Sequence, residues 1–162
     1  AHEVLKDEAL AAEAASLKKE IHDAIESMAI VDNYYYGKVY AYEVDGYGQY
    51  MLMDDANVPS LLAMDYLGYE ADDRQVVENT RNFVLSCANP YYYEGSCAKG
   101  VGSQHTKPGY IWHIALAIQG LTSKTKEEKL AIMQAICDKC GLQTDAQGIV
   151  LAIPVDSVVG LE

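Results

Sequence analysis

Polar and aromatic side chains gather in three segments of this sequence. The first is Tyr40-Ala41-Tyr42-Glu43-Val44-Asp45-Gly46-Tyr47-Gly48. The second is Met53-Asp54-Asp55-Ala56-Asn57-Val58-Pro59-Ser60. The third is Gly100-Val101-Gly102-Ser103-Gln104-His105-Thr106, which leads into Tyr110-Ile111-Trp112. Carboxylates accept hydrogen bonds from hydroxyls, an amide donates and accepts, and an imidazole does either. Aromatic faces stack on the C–H side of a pyranose. Together these groups suit a carbohydrate site. Two carboxyl groups flanking a glycosidic bond would hydrolyse it, with their separation deciding inversion or retention. Asp54-Asp55 has a plainer alternative, a helix N-cap followed by an acid beside the helix dipole. For His105, in a Gly-flanked loop, a binding and a structural role are both open. Trp112 lies on an apolar run, where a ring serves the core more often than a binding platform.

The elements that must position these groups follow from periodicity. Leu10, Ala14, Leu17, Ile21, Ala24, Ile25 and Met28 recur at three- and four-residue steps, which predicts one amphipathic helix over residues 4–30. Residues 37–52 fit short extended pieces around the turn at Gly46 and Gly48. Asp54 or Asp55 can cap a helix running to about Leu67, with Pro59 in its first turn. Asp72 or Asp73 starts another, with Val76, Val77, Thr80, Phe83, Val84 and Cys87 on one face, ended by Asn89-Pro90. Residues 88–109 form a long Gly- and Tyr-rich loop, of the kind that carries function. The run from Tyr110 to Leu121 is apolar all round and predicts a helix buried on several sides. Thr125 with Glu128 makes a capping box for a helix reaching Cys140, closed by Gly141. An apolar stretch, Gly148 to Val159, follows. The expected fold class is all-α.

Composition narrows the function further. Twelve basic residues against 24 acidic ones, a net charge of −12, argue against nucleic acid or an anionic membrane as partner. No run approaches the length of a transmembrane helix, and no signal peptide is visible, so a cytoplasmic location is expected. The length of 162 residues fits one domain. The aromatic set is 13 Tyr with only Phe83 and Trp112 besides, rings with a polar end that suit a surface meeting polar ligands. Cys87, Cys97, Cys137 and Cys140 read as reduced thiols. Cys137-Asp138-Lys139-Cys140 could join His105 and Cys87 or Cys97 around zinc, but the spacing matches no common zinc module.

The run Val39-Tyr40-Ala41-Tyr42-Glu43-Val44-Asp45-Gly46-Tyr47-Gly48, followed by Leu52-Met53-Asp54-Asp55-Ala56-Asn57-Val58-Pro59-Ser60-Leu61-Leu62, closely resembles glycoside hydrolase family 125. Tyr66-Leu67-Gly68-Tyr69, Asn79-Thr80-Arg81, Ser86 with Asn89-Pro90-Tyr91-Tyr92, Gly102-Ser103-Gln104-His105-Thr106 and Ile111-Trp112 extend the match over about residues 1–145. Gln104 and His113 depart from it, standing where the family more often has proline.

The resemblance implies a metal-independent, inverting exo-α-1,6-mannosidase with no cofactor. It implies an (α/α)6 toroid, of which residues 1–162 would form part, and a mannose-containing oligosaccharide as partner. It places the general acid in an SDD-type motif upstream of Ala1. The base belongs to a later G-x-M-H-E-type motif, which Thr144-Asp145-Ala146 approaches and Gln147-Gly148-Ile149-Val150 does not complete. Neither catalytic carboxylate is then assigned to this chain. The residues expected to bind sugar are Asp45, Asp54, Asp55, Asn57, His105 and Trp112, with Arg81 orienting one of the acids from behind. Part of a toroid exposes unpartnered helix faces, so self-association is expected. The competing readings are a non-catalytic carbohydrate-binding protein and a helical protein-interaction domain.

Overall fold

The computed structural model describes residues 2–95 and 98–139. The expected first helix is split. Lys6 takes a left-handed backbone conformation (φ 55°) between α1 (His2–Leu5) and α2 (Glu8–Met28). Asp7 restarts the helix by accepting the Leu10 N–H at 2.9 Å, an ordinary side-chain N-cap.

Six short strands follow, so the described residues are not all-α: β1 (Ile30–Asn33), β2 (Gly37–Tyr40), β3 (Glu43–Val44), β4 (Tyr50–Met51), β5 (Tyr92–Glu94) and β6 (Lys99–Val101). They pair as three antiparallel hairpins, β1–β2, β3–β4 and β5–β6. Turn chemistry explains the first two. Asn33 Oδ1 accepts the N–H groups of Tyr35 and Tyr36 at 3.0 and 3.2 Å, and Gly37 supplies a φ of 76°. Asp45 Oδ1 accepts the N–H groups of Tyr47 and Gln49 at 2.7 and 3.0 Å. The third hairpin lies where the sequence predicts loop. An added Cβ at Gly100 would meet Leu116 Cδ2 at 2.9 Å, and one at Gly102 the Tyr110 carbonyl oxygen at 2.2 Å. These glycines permit close packing of backbone in what the sequence predicts as a long loop.

The expected helix from Asp54 to Leu67 is instead a chain of turns. The Asp54 carboxylate reaches forward to the N–H groups of Leu61 and Leu62, which bends the segment back on itself. The next helix matches its prediction. α3 (Arg74–Val84) is capped by Asp73, which accepts the Gln75 N–H at 2.9 Å, and it buries Val76, Val77, Thr80, Phe83 and Val84. Cys87, expected on the same face, lies beyond the helix and is exposed.

Strand β2 and α3 carry the core. Val39, Phe83 and Val84 pack with Leu62, Ala63, Val101, Ala115 and Ile118, while Tyr40, Val76 and Val77 pack with Ala29 and Met64. Thr80 Oγ1 accepts the Tyr40 N–H at 2.8 Å and donates to the Val76 carbonyl at 2.7 Å, tying helix to strand.

α4 (His113–Leu121) starts three residues later than predicted, because Trp112 N–H donates to the Val101 carbonyl and Ile111 bridges Gly102. It is buried on one side only: Ala115, Leu116 and Ile118 face inward, while Ile114 and Leu121 face out. α5 (Lys126–Lys139) begins at the expected cap, with Thr125 Oγ1 accepting the Glu128 N–H at 3.1 Å. Cys97, Cys140, Gly141 and the segment Thr144 to Val159 lie outside the described residues.

Candidate functional site

The second polar segment is the buried heart of the site. Asp54 has no exposed surface; its two carboxylate oxygens accept the N–H groups of Leu61 and Leu62 at 3.0 and 2.9 Å. Its own N–H donates to Asn89 Oδ1 at 3.2 Å. Burial pushes the Asp54 carboxyl up to about 7, against the lowering effect of the Leu62 and Leu61 N–H groups. Asp55 is buried too. Its Oδ1 accepts the Asn57 N–H at 3.0 Å and its Oδ2 the Asn57 side-chain amide at 2.8 Å, which fixes Asn57 in one orientation.

The third segment locks onto the second. Ala56 N–H donates to the Gly102 carbonyl at 2.9 Å, and Ser103 Oγ donates to Asp55 Oδ2 at 3.4 Å. Ser103 Oγ also accepts the His105 N–H at 3.2 Å, and Thr106 Oγ1 donates to the Ser103 carbonyl at 3.2 Å. Trp112 Nε1 donates in turn to Thr106 Oγ1 at 3.1 Å. A continuous hydrogen-bond ladder therefore runs from Asn57 through Asp55, Ser103 and Thr106 to Trp112. Along it Asn57 and Trp112 are half-buried and His105 is exposed. Trp112 also packs on the core and borders a recess of about 340 Å³ with Thr106, Tyr110, Ile111, His113 and Ile114.

The structure thus gathers Asp54, Asp55, Asn57, His105 and Trp112, and leaves two expected residues elsewhere. Asp45 is exposed at the tip of the β3–β4 hairpin, where it closes the turn. Arg81 does not meet any of these acids. It pairs with Glu128 of α5 at 2.5 Å and donates to Thr122 Oγ1 at 2.6 Å and the Gln119 carbonyl at 3.1 Å. A guanidinium needs acceptors in its own plane, and α3 aims Arg81 at the α4–α5 junction. Asp54 holds the 61–62 turn with both carboxylate oxygens, without the helix that its N-cap reading expects.

Asn89, Ser103 and Tyr42 are not among the expected site residues. Asn89, which the sequence offers as a helix stop and within the run that resembles the family, is buried and its Nδ2 donates to the Val84 carbonyl at 3.0 Å. Tyr42 stands beside the acids: burial first, then the charges of Asp55, Asp54 and Glu43, raises its phenol. It lines a cavity of about 780 Å³ between α2 and the 59–70 turn, together with Ile21, Ile25, Leu61, Met64 and Tyr69. Among the described residues, no group of three or more His, Cys, Asp or Glu side chains could hold a metal ion.

The family model described as metal-independent alpha-mannosidase (GH125) matches residues 1–147. The chain belongs to glycoside hydrolase family 125. A solved Streptococcus pneumoniae structure of a metal-independent alpha mannosidase, a non-productive substrate complex with alpha-1,6-mannobiose, is 45% identical. It superposes with a TM-score of 0.78, covering 86% of this chain and 34% of that one. The meiotically up-regulated gene 157 protein of Schizosaccharomyces pombe is 44% identical over 118 residues, 72% of this chain. This family 125 chain therefore spans 23% of the curated relative and 34% of the solved one. Its family agrees with the carbohydrate chemistry expected of the three polar segments.

Proposed function

We propose that this chain supplies part of the sugar cradle of an inverting exo-α-1,6-mannosidase acting on terminal α-mannosides, and that neither catalytic carboxylate is among its residues. Family membership and the mannobiose complex of the S. pneumoniae relative support the substrate class. The described elements would form one sector of an (α/α)6 toroid. The observation that carries the reading is the ladder from Asn57 to Trp112. It holds an amide, an imidazole-bearing loop and an indole in fixed relation, the parts needed to grip hydroxyls and a pyranose face.

In this reading Asn57, His105 and Trp112 contact the sugar, with Asp45 reaching it from the hairpin tip. Asp55 orients Asn57, and Asp54 holds the turn beneath. Inverting hydrolysis needs an acid and a base about 6.5–9.5 Å apart with a water between them. Asp54 and Asp55 do not fill those roles, since Asp54 is engaged with main-chain N–H groups and Asp55 with Asn57 and Ser103.

Calorimetric titration with α-1,6-mannobiose tests the assignment. Asn57→Ala should abolish the binding heat while the far-ultraviolet circular dichroism stays that of the parent. Undiminished binding by the variant would remove Asn57, and with it the ladder, from the site.

A further inference from the structure

The ladder begins at Asn57, and Asn57 is only as fixed as Asp55, which holds it by two hydrogen bonds. Asp55 in turn sits between two anchored main-chain groups. On one side Ala56 N–H donates to the Gly102 carbonyl at 2.9 Å. On the other, Asp54 N–H donates to Asn89 Oδ1 at 3.2 Å. The first acceptor is backbone, which any residue supplies. The second is a side-chain oxygen, and it is there only because position 89 is an asparagine.

Asn89 is well placed for the task. It is 1% exposed. Its Oδ1 also accepts the Tyr91 N–H at 3.2 Å, and its Nδ2 donates to the Val84 carbonyl at 3.0 Å. Donors at one end of the amide and an acceptor at the other fix its orientation. Gly102 N–H donates to the Tyr91 carbonyl at 2.8 Å. Four hydrogen bonds thus close a ring through the 54–56 strip, Gly102, Tyr91 and the Asn89 side chain. The Val84 bond ties that ring to the end of α3, where Val84 is part of the core.

The geometry points to Asn89 as a positioning residue for the sugar contact of Asn57. It holds the 54–56 strip, and through it Asp55 and the Asn57 amide, in register with the Ser103–His105 loop. Both lone pairs of Asn89 Oδ1 are occupied, so it acts through Asp55 and does not touch the sugar. A binding group must be held to about 0.5 Å, and its supporting residues set that tolerance. The inference rests on the sugar-cradle reading for the contact itself.

Amide NMR and calorimetry with α-1,6-mannobiose test it on the parent, Asn89→Ala and Asn89→Asp. Both variants lose the Val84 bond, and both should melt earlier than the parent. Only Asn89→Ala loses the oxygen that accepts the Asp54 N–H. The Asn57 side-chain amide cross-peak should therefore move in Asn89→Ala and stay near its parent position in Asn89→Asp. Asn89→Ala should bind mannobiose about tenfold more weakly than Asn89→Asp. If Asn89 did no more than end α3, the two variants would lose affinity alike. Such parallel losses, or an Asn57 cross-peak unmoved in a folded Asn89→Ala, would overturn the proposal. Hydrogen exchange of the parent needs no variant. The Asp54 and Ala56 amide protons should show equal protection, because the strip is released as a unit. An Asp54 proton exchanging about a hundredfold faster than that of Ala56 would also overturn it. The cross-peak and the exchange rates are read without sugar. They stand apart from the sugar-cradle reading, which fails if the parent itself binds no mannobiose.

Discussion

Asp54 shows how one carboxyl group can be held in place by the chain around it. It is an acid with no exposed surface, and burial raises it to about 7 while two main-chain N–H groups hold it. Its unfolded value is about 3.9. The folded state therefore binds more protons than the unfolded one between those limits. The stability tied to this group is full below about pH 4 and is lost as pH rises through 7, on the order of 4 kcal/mol in all. Urea titrations from pH 5 to 8 should show the parent losing stability relative to Asp54→Asn as pH rises. A parent–variant difference independent of pH would contradict that environment. The same residue measures what sequence can deliver. Asp54 was recognisable as either a ligand or a cap. The choice between them depends on where Leu61 and Leu62 stand, a fact of tertiary structure. Arg81 was likewise recognisable as a partner for an acid, but that acid, Glu128, lies 47 residues away on another helix.

At the scale of elements, helices were more legible than strands. The α3 pattern offered Asp72 or Asp73 as the cap, of which Asp73 takes the role, and five of its six proposed inward residues are buried, because an amphipathic helix writes its period plainly. The hairpins have two to four residues per strand, too short for alternation to register, and the β5–β6 hairpin hid in a Gly- and Tyr-rich run. Its glycines are packing positions, which no composition rule distinguishes from loop glycines.

Gly102→Ala should therefore cost about 2–3 kcal/mol, since the new methyl must displace the Tyr110 carbonyl and the Tyr93 ring. A thermal melt should fall by roughly 5–10 °C, and an unchanged melt would mean that the 102–110 approach is looser than described. The α3–α5 clasp makes a separate prediction. Arg81→Met should lose about 2–3 kcal/mol by stranding the half-buried Glu128 carboxylate. In a double-mutant cycle it should couple to Glu128→Gln and add independently to Asp55→Asn. Coupling to Asp55 would restore the pairing that the sequence suggested.

The whole molecule joins a settled family to an open activity. Membership in glycoside hydrolase family 125 rests on residues 1–147, while the chain spans 34% of its solved relative. Among the described residues no helix is long and apolar enough to cross a membrane. The net charge of −12 suits a neutral sugar partner better than a polyanion. What the sequence conveyed best was chemistry by residue type, because hydroxyl-binding groups cluster along the chain as well as in space. What it conveyed least was which of those groups face outward.

The central claim is that this chain grips an α-mannoside without cleaving it. Proton NMR of the chain mixed with α-1,6-mannobiose tests this directly. Saturation transfer should reach the non-reducing mannose, should vanish in Asn57→Ala, and should be accompanied by no free mannose over a day of incubation. Release of mannose would place an acid and a base within these residues and contradict the account.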